Sequence, residues 1–147
     1  MTDYEDVRFE VDAGIATVTL HRPEARNAYS ERMVDELIDA LQTVDRDPEI
    51  RCAIITGAGK AFSAGGDLKR MAADQGMFAG GDPASLRRSY VHGIQRIPEA
   101  VARIDTPLVA AVNGPAIGAG LDLACMCDIR FAAEGAKFGS TFTRVGL

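Results

Sequence analysis

The sequence contains two glycine-rich stretches of the kind that can bring backbone N–H groups to a ligand. Residues 59–69 read GKAFSAGGDLK, and residues 113–123 read NGPAIGAGLDL. Each stretch follows an apolar, strand-like run, and a turn from a strand into a helix presents free amides and the positive end of the helix dipole. Two such turns facing one space can each donate to the same oxygen, which defines an oxyanion hole.

Two other glycine motifs do not match these stretches. In GAGK, residues 57–60, Ile54 stands where a phosphate-binding P-loop needs a glycine, and Ala61 stands where it needs Ser or Thr. The run GAGLDL begins like a dinucleotide-binding fingerprint, but Leu123 occupies the position of the third glycine. A nucleophilic role for Ser63 is disfavoured because no histidine is placed to act as its base.

The composition is typical of an ordinary globular domain. The 147 residues are 47% hydrophobic and 25% charged, with a formal net charge of -5 and a pI near 5.0. Nucleic acids and anionic membranes favour clustered Lys and Arg, so neither is expected as the main partner. No apolar run approaches the roughly 20 residues of a membrane helix, and the acidic start MTDYEDVRFE does not match a secretory signal. We therefore expect one cytoplasmic domain over residues 1–147.

Neither the cysteines nor the histidines predict a disulfide or a metal site. Cys52, Cys125 and Cys127 are odd in number and lie in apolar sequence, so we expect buried free thiols. His21 and His92 are far apart, and neither has a second ligand at helical spacing. No metal and no separate cofactor are predicted.

The first half of the chain predicts strands joined through a helix. Residues 7–20 alternate around a turn and predict a β-hairpin. Ser30 is a good N-cap for a helix with apolar spacing that ends before Pro48. The short apolar runs at residues 51–57 and 107–114 are typical of strands covered on both faces, and a right-handed crossover is expected between parallel strands.

The segments that follow are less regular. Residues 71–83 have no period and many small residues, so we predict that they are mobile without ligand and become ordered when a ligand binds. Residues 84–104 return to helical spacing, and Pro98 should kink or restart that helix. Residues 128–133 predict a further strand. We expect Asp67 to cap a helix and Asp128 to pair near a strand start.

Three blocks together resemble the enoyl-CoA hydratase/isomerase family, the crotonase superfamily. They are HRPEARNAYS, GAGKAFSAGGDLK and AAVNGPAIGAGLDLACMCDIRFAAEGAKFG, in the order and spacing of the family. The resemblance implies an α/β spiral of β-β-α units with two roughly perpendicular sheets. It also implies an acyl-CoA thioester substrate, with coenzyme A as part of that substrate. The family's closing helices, which form the contacts of a trimer or dimer of trimers, would lie beyond Leu147, so the chain is expected to be the front part of a longer homo-oligomeric protein.

The same resemblance assigns roles to individual residues. The backbone amides of Gly66 and Ala119 would hold the enolate oxygen of the thioester. Ala64 and Lys69 would lie beside the adenosine and phosphate part of coenzyme A, together with Arg26. The walls of the acyl pocket are predicted to be Met71, Met77, Phe78 and Phe142.

The sequence departs from the family's hydratases at two positions. Where those enzymes have two glutamates that hold and activate water, this chain has Asp122 and Phe142. One carboxylate is therefore absent, and the other is shortened by a methylene. An aspartate inside GAGLDL is similar to the dienoyl-CoA isomerase branch, so we predict that Asp122 transfers protons and that isomerisation is favoured over hydration. A hydratase of fatty-acid oxidation and a CoA-binding assembly partner without catalysis are the alternatives.

Overall fold

The computed structural model of this chain describes residues 4–146. In these residues the strands are β1 (Val7–Asp12), β2 (Ile15–Leu20), β3 (Cys52–Gly57), β4 (Leu108–Val112), β5 (Ala116–Ile117), β6 (Ile129–Ala132) and β7 (Phe138–Gly139). The α-helices are α1 (Glu31–Arg46), α2 (Leu68–Ala72), α3 (Pro83–His92), α4 (Arg96–Val101) and α5 (Ala119–Met126). Short 3-10 helices occupy Pro23–Ala25, Gly76–Phe78 and Phe142–Arg144.

The strands form a larger and a smaller sheet. The larger sheet has the order β1-β2-β3-β4-β6, and the smaller one pairs β5 with β7. Strands β1 and β2 are antiparallel, which confirms the predicted hairpin. The pairs β2–β3, β3–β4 and β4–β6 are parallel, so each needs a crossover connection, and α1 provides the first of these.

The core lies between one face of the larger sheet and helix α1. Ala16, Val18 and Leu20 of β2 have no exposed surface, as their alternation predicted. The Ser30 hydroxyl caps α1 by accepting a hydrogen bond from the N–H of Met33 at 2.9 Å. The apolar stripe of α1 that packs on the sheet is buried: Met33, Val34, Leu37, Ile38, Ala40, Leu41 and Val44.

The expectation that β3 and β4 are covered on both faces is wrong. Their burial alternates, with Ile55 and Ala110 fully buried while Ile54 and Val109 are half-buried. The apolar runs look continuous because the outward positions of these strands also hold apolar side chains. A short apolar run therefore did not distinguish a strand with one buried face from a strand with two.

The predicted helix of residues 84–104 is divided in two, as its proline indicated. Helix α3 ends before Gly93, and α4 restarts at Arg96. Pro98 lies in the first turn of α4, where the missing N–H has no intrahelical partner in any case. In a continuous helix its ring would clash with the carbonyl of Ile94, so the chain breaks before that point.

The two structural aspartates take the places expected for them. Asp67 caps α2 by accepting from the N–H groups of Lys69 and Arg70. Asp128, just before β6, accepts from the N–H of Leu108 at 2.8 Å and so joins the starts of two paired strands. Within residues 4–146, no helix is long and apolar enough to span a bilayer.

Candidate active site

The two glycine-rich turns lie against each other. Ser63 and Ala116 form a parallel bridge, and the N–H of Ile117 donates to the Ser63 carbonyl at 2.9 Å. Gly65 has a φ of +77°, and a Cβ atom built on it would lie 2.9 Å from the backbone nitrogen of Ala119. A side chain at position 65 would therefore be strained by its φ and would collide with the second turn.

The predicted donors, Gly66 and Ala119, open onto the same space. Ala119 is the first residue of α5, where a backbone N–H has no partner inside the helix. Within the described residues, the N–H groups of Gly66 and Ala119 have no acceptor in the chain. Both residues line a cavity of about 700 Å³. The arrangement offers two free donors and a helix dipole to an oxygen atom in this cavity.

The cavity is mainly apolar, and several elements contribute to it. Helix α5 presents positions 119, 122, 125 and 126, which share one face of the helix. The fully buried Tyr29 and the half-buried Met71 line it beside the first turn. The segment from α3 to α4 supplies a further wall made of Tyr90, Ile94, Gln95, Ile97 and Pro98.

Asp122 lies three residues after Ala119, on the first turn of α5. Among the described residues that line the cavity, it is the only carboxylate. The side chain is exposed, yet its partial desolvation by the apolar walls raises the pKa of Asp122 above the ordinary value of an aspartate. A carboxylate with a raised pKa is a stronger base than a fully solvated one, and it lies on the same helical face as a free N–H.

Phe142 lies beside the second turn, near Gly118 at the start of α5. An atom of its ring would be 4.0 Å from a Cβ built on Gly118, and the ring lines the cavity. Met71 lines it as well. The predicted pocket residues Met71 and Phe142 therefore share the cavity with both donors.

The assignment of Met77 and Phe78 to the pocket wall requires a correction. Both side chains are buried, 5% and 3% exposed, and neither lines the cavity. Phe78 packs edge to face on Tyr90, with ring centroids 5.8 Å apart, and so lies behind a residue that does line it. The 3-10 helix Gly76–Phe78 turns these two side chains into the core, which an aperiodic sequence does not reveal.

The three residues assigned to coenzyme A lie near the first turn. The N–H of Ala64 donates to the Arg26 carbonyl at 2.9 Å, so these two residues are neighbours, and Ala64 lines the cavity. The side chains of Arg26 and Lys69 are exposed. Lys69 lies in the first turn of α2, two residues after the Asp67 cap. Their role in binding coenzyme A stays a prediction.

The side chains that hold the first turn were missed from the sequence. Asn27 is fully buried with a φ of 55°, and its amide donates to the carbonyls of Ala58, Ala61 and Phe62. Its side-chain oxygen accepts from the N–H of Arg22. The available signal was an asparagine in the turn-rich run HRPEARNAY, because asparagine tolerates positive φ better than most residues.

One thiol is not where the sequence predicted it. Cys127 is buried, which raises the pKa of its thiol to about 12, and Cys52 is half-buried. Cys125 is exposed and lines the cavity, so the expectation of a buried thiol is wrong there. It lies one helical turn after Asp122 on the cavity face of α5, whereas Cys127 faces the core.

Comparison with known proteins decides the family. A family model described as Enoyl-CoA hydratase/isomerase matches residues 10–147. The chain belongs to this family. A Mycobacterium tuberculosis protein named "Probable enoyl-CoA hydratase EchA14" is 39% identical over 148 residues, which cover 100% of this chain and 54% of the relative. The 1,2-epoxyphenylacetyl-CoA isomerase of Escherichia coli K12 is 39% identical over 143 residues, covering 97% of this chain and 53% of the relative.

Solved structures confirm the predicted fold class of this enoyl-CoA hydratase/isomerase family member. An enoyl-CoA hydratase/carnithine racemase from Magnetospirillum magneticum has a TM-score of 0.87 at 31% identity, covering 99% of this chain and 52% of the other. An enoyl-CoA hydratase from Bacillus anthracis has a TM-score of 0.84 at 32% identity, covering 97% and 53%. The chain therefore spans about half the length of the relatives it matches.

Proposed function

We propose that this chain forms the oxyanion hole and proton-transfer site of an acyl-CoA isomerase. The thioester carbonyl oxygen would accept from the N–H groups of Gly66 and Ala119. The Asp122 carboxylate would take a proton from the acyl chain, the electron pair of that C–H bond would move toward the thioester oxygen, and the same proton would return at another carbon. Atoms and charge balance because no group is added or lost.

The observation that supports this proposal most is the grouping of both free donors around one cavity with Asp122, the one carboxylate among the described residues that line it. Negative charge that develops on a thioester oxygen is stabilised best by donors that are already oriented. The raised pKa of Asp122 supports its role as a base, because a stronger base removes a weakly acidic proton more readily. The apolar walls suit an acyl chain.

Isomerisation is favoured over hydration because of Phe142. Hydration needs a water molecule that is held and activated, and the family's hydratases use two carboxylates for this. Here an apolar ring lies beside the second donor turn, where the resemblance assigns the second carboxylate. Hydration is the second candidate, since relatives such as the Mycobacterium tuberculosis protein are named as hydratases.

Binding of the nucleotide part of the substrate is assigned to the edge of the first turn. We propose that Ala64 lies against the adenosine and that the exposed Arg26 and Lys69 neutralise phosphate charge. In this arrangement substrate affinity comes mainly from residues other than Asp122. Binding and chemistry are therefore separable by mutation.

The test is Asp122→Asn, assayed with enoyl-CoA and dienoyl-CoA thioesters. Turnover is expected to fall by about 100-fold or more, because general-base catalysis contributes on this scale. Calorimetric affinity for the CoA thioester is expected to stay close to that of the unmodified protein. Asp105→Asn is the matched control, since this exposed aspartate does not line the cavity. Undiminished turnover in Asp122→Asn would remove Asp122 from the mechanism.

Product analysis in water enriched in heavy oxygen separates the two candidate reactions. An isomerase moves a double bond without taking up solvent oxygen, whereas a hydratase adds a solvent hydroxyl group. We expect rearranged thioesters without the heavy isotope. Rapid incorporation of solvent oxygen by the unmodified protein would show that the reaction is hydration and not isomerisation.

A further inference from the structure

Ser63 lies between the two donor turns and has no exposed surface. Its hydroxyl donates to the carbonyl of Asn27 at 2.8 Å and accepts from the N–H of Gly65 at 3.0 Å. Gly65 precedes the donor residue Gly66. The Ser63 side chain therefore ties the peptide next to the first donor to the buried Asn27 segment.

The backbone and Cβ of Ser63 also contact the second turn. The Ser63 carbonyl accepts from the N–H of Ile117 at 2.9 Å, and the Ser63 N–H donates to the carbonyl of Pro115 at 3.2 Å. A Cβ built on Gly120 would lie 2.5 Å from the Ser63 carbonyl oxygen and 2.7 Å from its Cβ. The start of α5 can therefore approach Ser63 this closely only with glycine at position 120.

Tyr29 lies beside the same contact. Its hydroxyl donates to the carbonyl oxygen of Ala119 at 3.5 Å, and burial raises the pKa of this tyrosine. Tyr29 also contacts the first turn, because its N–H donates to the carbonyl of Gly65 at 2.8 Å. Both turns thus share a small set of buried polar partners centred on Ser63.

We propose that Ser63 is a positioning residue that fixes the relative orientation of the Gly66 and Ala119 N–H groups. This inference rests on the function proposed above. Removing the hydroxyl leaves the Gly65 N–H and the Asn27 carbonyl without their partner in a buried site. The freed N–H belongs to the peptide between Ala64 and Gly65, so this peptide rotates to find another partner. The rotation displaces Gly65, and the Gly66 N–H that follows it turns away from the thioester oxygen. Donors that are not oriented in advance stabilise developing charge poorly.

The experiment measures polarisation of the bound carbonyl directly. A non-reacting acyl-CoA with carbon-13 at the thioester carbonyl is bound to the unmodified protein and to Ser63→Ala, and the carbonyl stretch is recorded by isotope-edited infrared spectroscopy. In the unmodified protein the stretch is expected to move to lower frequency on binding. In Ser63→Ala we expect this shift to be at least halved, kcat to fall by about 10- to 100-fold, and the dissociation constant to change by less than about 3-fold.

The matched control is Ser30→Ala. The Ser30 hydroxyl also accepts from a backbone N–H, in the cap of α1, and it does not line the cavity. This variant is expected to lose stability but to keep the full carbonyl shift. If Ser63→Ala does not fold, Ser63→Cys replaces it, and its weaker hydrogen-bonding group should give an intermediate shift.

The outcomes distinguish this inference from the proposed function. A full carbonyl shift and full kcat in folded Ser63→Ala or Ser63→Cys would overturn the positioning role while leaving the oxyanion hole intact. Absence of any shift in the unmodified protein would overturn the oxyanion hole itself and the role of Ser63 with it. A reduced shift in the Ser63 variants, with Ser30→Ala unchanged, supports both.

Discussion

The two donor turns are held in place by different parts of the chain. The turn around Gly66 is held by side chains in addition to backbone hydrogen bonds, namely the Asn27 amide, the Ser63 hydroxyl and the Asp67 carboxylate that caps α2. The turn before Ala119 depends on backbone pairing. The N–H of Gly118 donates to the carbonyl of Gly139 at 2.8 Å, and β5 pairs with β7 just before it.

This difference predicts which mutations can displace each donor N–H. Substituting a side chain can misalign the Gly66 N–H without touching a ligand, because polar side chains fix its turn. The Ala119 N–H keeps its direction as long as β5, β7 and α5 remain folded. The first donor is therefore expected to be sensitive to distant side-chain changes, and the second to changes in the backbone itself.

The largest effect is expected where the two turns touch. Gly65→Ala adds a Cβ at a φ of +77° and places it 2.5 Å from the Ile117 carbonyl oxygen. The fold should lose about 3 kcal/mol or more, because strain and a backbone collision act together, and turnover should be abolished. Denaturant unfolding and an activity assay measure both.

Gly135→Ala is the control for that substitution. A Cβ on Gly135 meets no atom within 4 Å, so stability and activity should be nearly unchanged. If Gly65→Ala were as stable and active as Gly135→Ala, the close contact between the two turns would be refuted.

A smaller and more selective effect is expected from Ala119→Pro. Proline removes the N–H of the second donor, and the first turn of a helix tolerates it, so the fold should survive. Turnover is expected to fall by about 100- to 1,000-fold, the usual cost of losing one oxyanion donor. Steady-state kinetics with circular dichroism as a folding check make the measurement.

The companion variant Ala119→Ser keeps the amide and should retain most of the activity. Full activity in a folded Ala119→Pro protein would show that this N–H is not a catalytic donor. The backbone-held turn would then have no function in the site, and the comparison of two matched donors would fail.

The smallest effect concerns a side-chain clamp on the segment that follows the first turn. Glu31, at the start of α1, accepts from the Met77 N–H at 2.8 Å and forms an ion pair with Arg70, so it ties the segment after Gly66 to the core. Glu31→Ala should lower the free energy of unfolding by only about 1 kcal/mol, because the Glu31 carboxylate is partly exposed. It should also speed hydrogen exchange at the Met77 N–H. Unchanged exchange at Met77 would mean that this clamp does not order the segment.

The stabilisation by Glu31 should depend on pH. Partial burial acts to raise the pKa of Glu31, but the backbone N–H groups of Glu31 and Met77 and the charge of Arg70 outweigh it, so the pKa is lowered. A lowered native pKa gives stability that is present above the unfolded value, about 4.3, and is lost as pH falls through the native value. The stability difference between the unmodified protein and Glu31→Ala should therefore shrink only in acid.

Much of this fold could be predicted from local patterns. The alternation in residues 7–20, the Ser30 cap and the apolar stripe of α1 are short-range signals, and the structure confirms the elements they predict. Pro98 is also a local signal, and it indicated the break between α3 and α4. The glycine-rich stretches indicated two turns that meet, because glycine is needed where backbones approach closely.

The parts that could not be predicted depend on long-range packing. Met77 and Phe78 lie in an aperiodic segment, and only the tertiary fold decides that they face the core and not the cavity. Cys125 and Cys127 occupy similar apolar sequence, but Cys125 on α5 lines the cavity, whereas Cys127, directly after that helix, is buried in the core. The role of Asn27 depends on three carbonyls more than 30 residues away in sequence.

The central claim is that the two turns stabilise a thioester enolate and that Asp122 moves the proton. The most direct test is exchange of the α-proton of a saturated acyl-CoA into deuterium oxide, followed by mass spectrometry, because exchange requires the enolate and no later step. The account predicts deuterium at the α-carbon with the unmodified protein and loss of that exchange by about 100-fold or more in Asp122→Asn and Ala119→Pro. Exchange at equal rates in the unmodified protein and both folded variants, or none in a protein that binds the thioester, would contradict it.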